Sequence, residues 1–342
     1  MSELSVREQR VLEAVIQMYI ETAEPAGSAA VARRSGLGVS SATVRATMGK
    51  LERKGLLVHP HTSAGRVPTD LAYRTYVDQL MRFPSISDEQ RFALAAEMPS
   101  ASSEMKNILN RAAQVLSVLT QELGMAVSPA LDQIVLERLE LVRVSSERLL
   151  LVFNLQSGLV RTIFVQIPAA VAPDAVTAVA QVLNERLAGL NLAEVRATLA
   201  DRLRDASHPE SGHELLNIFL AEGEEIVAQT LASPEVHLGS ARLLADQPEF
   251  SSNERMRGLL DITQRRELLR DVLQQRNRGG LTITIGGENL DPAMSDLTLV
   301  TASYSRGDLS GVIGVMGPTR MPYDKIIGLV EHTSRLVEGL LD

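Results

Sequence analysis

The stretch SSATVRATMGKLERKGLLVHPHTSAGRVPTDLAYRTYVDQL, residues 40–80, decides the fold of the N-terminal part of the chain. It opens with two serines, either of which can cap a helix, and Gly55 ends that helix where glycine is favoured. LLVHP then predicts a strand, HTSAGR a turn and VPT the returning strand. A helix followed directly by a hairpin is the second half of a winged helix-turn-helix.

The residues before this stretch predict the first half of the same fold. Ser5 and Glu8 form a capping box, and apolar residues follow them at helical spacing. Pro25 and Gly27 break this helix, and Ser28 can cap a short second helix, SAAVARRSG. With a linking helix over 69–82, residues 1–82 are predicted to be a winged-helix DNA-binding domain.

The third helix carries the pattern that points to DNA. Val44, Met48 and Leu51 recur at the spacing of a buried stripe. The opposite face is rich in small residues, which let a backbone come close, and in hydroxyls and cations, which can donate to phosphates and base edges. We therefore expect this helix to enter the major groove with its N-terminal end first.

The hairpin turn offers further donors beside Arg66, which suits contact with a phosphate backbone or a minor groove. The residues that we predict to contact DNA are Ser40, Ser41, Thr43, Arg45, Ala46, Lys50, His61, Thr62, Ser63 and Arg66. The alternative for both elements is an ordinary surface helix and an ordinary hairpin tip.

Charge is distributed unevenly along the chain. The net charge is −8, yet residues 33–66 contain seven basic residues and a single acid, Glu52. A local basic segment in an acidic protein suggests one dedicated anionic partner. The alternative is a solvated helix face.

The remainder predicts an α+β multidomain protein. Three strand-like runs, 134–144, 148–155 and 159–167, are typical of an antiparallel meander, and strand patterns return over 281–317. Residues 168–278 between them are mostly helical in pattern. We therefore expect a discontinuous antiparallel-sheet domain, 100–167 and 279–342, with a mostly helical domain, 168–278, inserted into it.

Composition restricts the function classes. The chain contains no cysteine, which excludes disulfides, thiolate metal sites and a cysteine nucleophile, and which fits a reducing cytoplasm. No apolar run approaches the roughly 20 residues that span a bilayer. The N-terminus lacks the order of a signal peptide. The expected location is cytoplasmic, without membrane attachment.

An enzyme and a ligand-switched repressor are the rival classes. None of the six histidines forms an HExxH motif, and the glycine-rich GVIGVMGPTR lacks the Gly-Lys-Ser/Thr ending of a phosphate loop. A scattered catalytic triad stays open. The aliphatic strands offer few polar groups to orient a ligand. We therefore predict a protein that is not an enzyme and has no cofactor or metal.

Three segments resemble the heat-inducible transcription repressor HrcA family: residues 40–80, LLADQPEF at 243–250, and GVIGVMGPTRMPYDKIIGLV at 311–330. The resemblance covers essentially the whole chain. One departure concerns the third helix, because the family usually has asparagine at the position of Ala46 and an acid at that of Thr47.

This resemblance implies properties that the residue patterns alone do not. The sheet domain is expected to be GAF-like, and the inserted domain to mediate dimerisation. The target is expected to be the inverted-repeat CIRCE operator ahead of chaperonin operons. The chaperonin GroEL is expected as a partner that keeps the repressor active.

Overall fold

The computed structural model describes residues 4–60, 65–81, 86–99, 104–169, 171–204, 212–230, 234–277, 280–307 and 309–341. The first elements are α1 (Val6–Thr22), α2 (Ser28–Arg34), α3 (Ser41–Arg53), β1 (Leu57–Val58), β2 (Val67–Pro68), α4 (Asp70–Thr75), α5 (Asp88–Glu97), α6 (Met105–Thr120) and β3 (Leu123–Val127). Then follow β4 (Leu136–Ser145), β5 (Arg148–Leu155), β6 (Leu159–Gln166), α7 (Pro173–Leu187), α8 (Leu192–Arg204) and α9 (His213–Thr230). The last are β7 (Val236–Leu238), α10 (Ala241–Ala245), α11 (Asn253–Gln264), α12 (Arg266–Gln274), β8 (Leu281–Ile285), β9 (Leu297–Arg306), β10 (Leu309–Pro318) and α13 (Tyr323–Leu341).

Two compact units divide this chain. The first comprises 1–128, 236–304 and 312–342, and the second, which we call the inserted unit, comprises 129–235 with 305–311. The predicted mixture of helices and antiparallel sheets is confirmed. The division itself differs from the one predicted from the sequence.

Residues 4–81, which we call the N-terminal module, contain three helices and a hairpin in the predicted order. Ser5 and Glu8 make the predicted capping box, and the Ser40 side chain accepts from the Thr43 amide at the start of α3. The second helix differs slightly, because its cap is Gly27 and Ser28 is already helical. The linking helix begins as α4 and widens into a π-helical turn over Tyr76–Leu80.

A five-stranded sheet, which we call the central sheet, has the strand order β7-β3-β10-β9-β8. Buried residues of α6 and α13 cover one face, and those of α11 and α12 cover the other. Gly124 of β3 lets α6 lie close, since a Cβ there would come within 2.1 Å of the Ala113 carbonyl oxygen. The apolar core on the α6 side is continuous with that of the N-terminal module.

The inserted unit has its own sheet, β4-β5-β6, which α7, α8 and α9 cover with a separate apolar core. The sequence assigned these three strands to one domain with the C-terminal strands, and that assignment was wrong. Among the described residues, these strands pair with one another and with no other strand, in the order β4-β5-β6. Alternation of apolar residues identifies an antiparallel meander but not the core that it covers.

The C-terminal part of the predicted insertion also belongs elsewhere. β7 pairs antiparallel with β3, through His237 opposite Ala126, and so forms an edge of the central sheet. Leu259 and Leu269 of α11 and α12 pack in the core beneath that sheet. The insertion observed is therefore 129–235 and not 168–278. Within the described residues, no helix is long and apolar enough to cross a membrane.

Candidate nucleic-acid interface

The buried side of α3 is the one that the sequence predicts. Val44, Met48 and Leu51 are almost fully buried, and they pack in the core of the N-terminal module. Thr47 is buried as well, and its hydroxyl donates to the Thr43 carbonyl at 3.1 Å. Since Thr47 faces the core, the departure from the family pattern at this position lies away from the exposed face.

The opposite side of α3 is exposed. Its exposed residues are Ser41, Ala42, Arg45, Ala46, Lys50 and Arg53, with Ser40 exposed at the cap. Within the described chain, neither Arg45 nor Lys50 forms an ion pair. The face therefore combines small side chains with cations whose donors are available to an anionic partner.

The N-terminal end of α3 holds two of the predicted residues together. Ser40 Oγ lies 3.0 Å from Thr43 Oγ1 and accepts from the Thr43 amide at 3.2 Å. This cap satisfies one of the free amides that begin every helix. The remaining amides of the first turn and the helix dipole favour a negative group at this end, such as a phosphate.

Arg66 occupies a different place from the one expected. The sequence placed it at a hairpin tip, free to contact DNA, but its Nε and Nη2 donate to Glu52 of α3 at 3.2 and 2.8 Å. Its side chain is only 13% exposed. The ion pair lowers the pKa of Glu52 and neutralises the only acid of the basic segment. His61, Thr62 and Ser63 lie outside the described residues.

A third strand-like segment braces the hairpin. The Ala26 amide donates to the Arg66 carbonyl at 2.9 Å, and the Arg66 amide donates to the Ala26 carbonyl at 3.1 Å. Gly65 is required beside this bridge, because a Cβ there would lie 2.4 Å from the Ala26 carbonyl oxygen. The hairpin is therefore fixed both to α3 and to the segment between α1 and α2.

Two other cations of the basic segment form ion pairs within the N-terminal module. Lys54 lies 3.1 Å from Glu8, whose pKa is lowered to about 2, chiefly by the Ser5 backbone amide. Arg34 forms an ion pair with Glu21 at 2.5 Å. Three of the remaining cations, Arg45, Lys50 and Arg53, are exposed on α3, so much of the charge available to a partner lies on this helix.

Sequence reasoning missed the polar contacts that hold the N-terminal module against the central sheet. Arg320 donates to Glu249 at 2.5 and 2.9 Å and to the Ile20 carbonyl at 2.7 Å. Arg74 of α4 donates to Glu288 at 2.9 and 2.5 Å. Glu249 and Arg320 lie within the segments at 243–250 and 311–330 that resemble the family. The resemblance indicated that these segments matter, but it did not indicate what either residue does.

Comparison with known proteins agrees with these observations. The sequence profile described as HrcA protein C terminal domain matches residues 106–327. The heat-inducible transcription repressor HrcA of Chlorobium phaeobacteroides (strain BS1) is 37% identical and covers 96% of each chain. That of Syntrophobacter fumaroxidans is 34% identical over 100% of this chain and 99% of the relative. A solved structure of a hypothetical protein shares the fold at a TM-score of 0.65 and 22% identity, over 99% of both chains. The chain therefore belongs to the family of the heat-inducible transcription repressor HrcA.

Proposed function

We propose that this protein represses heat-shock chaperonin operons by binding an inverted-repeat CIRCE operator as a dimer, and that it acts by binding rather than by catalysis. The observation that carries the proposal is the exposed face of α3, where small residues lie between Arg45 and Lys50, two cations that form no ion pair within the described residues. In this proposal the N-terminal module is a winged helix-turn-helix and the central sheet belongs to a GAF-like domain.

The proposed contacts fall into two groups. Thr43, Arg45 and Ala46 near the start of α3 would face base edges, because a recognition helix enters the groove with its N-terminal end. Ser40, Ser41 and Lys50 would contact phosphates. Arg66 would hold the hairpin against α3 while its Nη1 stays available to the DNA backbone. His61, Thr62 and Ser63 are proposed as further DNA contacts.

Dimerisation is proposed through the inserted unit. The face of its sheet that points away from its own helices exposes large apolar side chains, namely Val142, Val160 and Phe164. We call this surface the outer sheet face. Contiguous apolar surface of this kind marks interaction sites in water-exposed proteins. A second copy is the occupant that an inverted repeat calls for, because a two-fold dimer presents one N-terminal module to each half-site.

The chaperonin GroEL is proposed to control how much active dimer exists. An outer sheet face left uncovered in the monomer would be an apolar surface for a chaperonin to bind. Chaperonin would raise the active fraction, and unfolded proteins would compete for it after heat shock. Repression of chaperonin genes would then respond to the amount of free chaperonin.

A footprint with purified protein on the chaperonin promoters of its own organism tests the proposal. The expected result is protection of an inverted repeat that is lost in the double variant Arg45→Ala/Lys50→Ala. Gel shifts with dilute protein, with and without chaperonin and ATP, test the control step. Equal protection of random DNA would overturn the operator assignment. If added chaperonin did not change the fraction of repressor that binds DNA, the proposed control by chaperonin would be overturned.

A further inference from the structure

A cavity of about 190 Å³ lies beside β8, the edge strand of the central sheet, where the residues after α12 approach it. Val272 and Met294 form apolar walls, and Thr282, Thr284 and Arg276 supply polar groups. Binding sites for small molecules typically combine apolar walls with a few placed polar groups. The cavity is far from α3 in sequence, and the proposed function does not use it.

Arg276 is held in place by a chain of hydrogen bonds. Its Nη2 donates to Thr284 Oγ1, and that hydroxyl donates to Asn289 Oδ1 at 2.6 Å. The Asn289 amide nitrogen donates in turn to three backbone carbonyls, those of Gly286, Met294 and Leu297, at 3.0, 3.0 and 2.7 Å. The orientation of the guanidinium is therefore fixed by the backbone around β8.

The other terminal nitrogen of Arg276 is unsatisfied. Nη1 is buried, and no acceptor for it exists among the described residues. Burial lowers the pKa of Arg276 to about 10. Glu288 lines the same cavity, but it is bonded to Arg74. A buried charged donor without an acceptor is costly, and such costs are common where a ligand supplies the missing partner.

We propose that this cavity binds a small organic monocarboxylate, whose carboxylate accepts from Arg276 and whose short apolar part contacts Val272 and Met294. A guanidinium is suited to a planar carboxylate. One cation matches one negative charge, and the carboxylate of Glu288 at the wall disfavours a dianion such as phosphate. The alternative is that Arg276 only covers the sheet edge, in which case no solute shows selectivity.

Thermal unfolding of the full chain with three probes tests this site: isobutyrate, its neutral isostere isobutyramide, and inorganic phosphate. Isobutyrate is expected to raise the unfolding temperature saturably, by a few degrees at ten times its dissociation constant. Isobutyramide and phosphate at equal ionic strength are expected to leave it unchanged. Arg276→Met should abolish the rise, whereas Arg257→Met, at an exposed arginine of α11, should retain it.

Three results would overturn the proposal: no saturable rise with isobutyrate, an equal rise with phosphate or isobutyramide, or a rise that persists in Arg276→Met. If Arg276→Met does not fold, titration calorimetry of the unaltered protein with isobutyrate decides the matter. Thr284→Val, which removes the hydroxyl that orients Arg276, should then weaken binding about tenfold. Unchanged affinity in Thr284→Val would count against a role for Arg276.

Discussion

Arg66 of the hairpin donates two hydrogen bonds to a single oxygen of Glu52 on α3, from Nη2 at 2.8 Å and from Nε at 3.2 Å. The pair spans the two elements that we propose to contact DNA. Removing an acid from a DNA-binding surface normally strengthens binding, because it removes repulsion of the phosphates. For Glu52 the ion pair predicts the opposite effect, because the Glu52 carboxylate fixes the position of Arg66.

Glu52→Ala is therefore expected to weaken operator binding, by roughly two- to fivefold in Kd, although it makes the protein less acidic. The slope of log Kd against log salt should change little, because Glu52→Ala retains the Arg66 cation and removes no positive charge. Arg66→Ala should weaken binding to operator and random DNA alike and flatten the slope by about 1 per subunit if Nη1 reaches a phosphate. Fluorescence anisotropy at several salt concentrations measures both quantities.

Glu24→Ala is the control for Glu52→Ala, because Glu24 is an exposed acid between α1 and α2. It removes the same charge without touching the hairpin and should leave operator binding equal or slightly stronger. Tighter operator binding by Glu52→Ala would show that Glu52 is only a repelling acid and that the ion pair has no positioning role.

Arg45 and Lys50 are expected to contribute differently to DNA recognition, although both are exposed cations of α3. Arg45→Ala and Thr43→Ala should narrow the difference between operator and random DNA by about 1–3 kcal/mol per lost base contact. Lys50→Ala should weaken both to the same extent, because a phosphate carries no sequence information. Competition gel shifts with both DNAs measure the ratio. A uniform loss in Arg45→Ala would assign that residue to the backbone.

Local patterns carried most of the N-terminal prediction. The caps at Ser5 and Ser40 and the buried stripe of α3 depend on residues a few positions apart, so the sequence reveals them. The bond between Arg66 and Glu52 joins residues 14 apart across two elements, and a sequence pattern at a turn does not identify that partner. The proposed DNA contacts could be named from the sequence. The ion pair that holds Arg66 in place could not.

The division of the chain into units was predictable only in part, for a related reason. Strand 136–145 alternates as any half-buried strand does, and nothing in it specifies which helices cover its inner face. Arg276 gave no signal either. The buried guanidinium with an unsatisfied nitrogen results from the packing of Arg276 beside Thr284, and only the folded chain reveals that packing.

Gly65→Ala should destabilise the hairpin. A Cβ at this position would lie 2.4 Å from the Ala26 carbonyl oxygen and so would push apart the backbone bridge between Ala26 and Arg66. The expected cost is roughly 1–3 kcal/mol, with weaker DNA binding, because backbone cannot move aside as a side chain can. Chemical denaturation followed by circular dichroism measures the change.

Gly258→Ala in α11 is the matched control, because nothing lies within 4 Å of the added methyl group. This exchange in a helix should stabilise the protein by about 0.5–1 kcal/mol. Equal stability of the two alanine variants would show that the hairpin tolerates the displacement.

Phe164→Glu on the outer sheet face should disrupt the proposed dimer. The side chain is 55% exposed, and the Arg148 guanidinium lies 4.5 Å from its ring centre. A charge buried in an apolar interface should raise the dimer Kd by at least about thirtyfold. Sedimentation velocity over a concentration series measures it.

Phe92→Glu controls for the loss of an exposed phenylalanine, since Phe92 of α5 is 78% exposed and lies in the other unit. This variant should sediment as the unaltered protein does. If the Phe92→Glu dimer dissociated while the Phe164→Glu dimer stayed intact, the dimer interface would have to be assigned outside the inserted unit.

Glu122, directly before β3, is a carboxyl group almost fully buried in the core of the first unit. Gln247 donates to it at 2.9 Å, and Gly317 leaves the space that its oxygen fills. Burial raises the pKa of Glu122 to about 8, although the Gln247 bond and nearby Arg320 oppose the rise and Glu249 adds to it. The folded protein therefore retains a proton that the unfolded chain releases near pH 4.5.

Stability should consequently fall as pH rises from about 4.5 to about 8, because the unfolded state binds fewer protons over that range, and it should level off above. Glu122→Gln keeps the size and an acceptor but cannot ionise, so it should remove this slope and stabilise the protein at pH 8.5 by roughly 2–4 kcal/mol. Urea denaturation at pH 5.5, 7 and 8.5, followed by circular dichroism, gives the slope. Glu89→Gln, at an exposed acid of α5, should keep the pH dependence of the unaltered protein. If Glu122→Gln kept it too, another group would hold the proton.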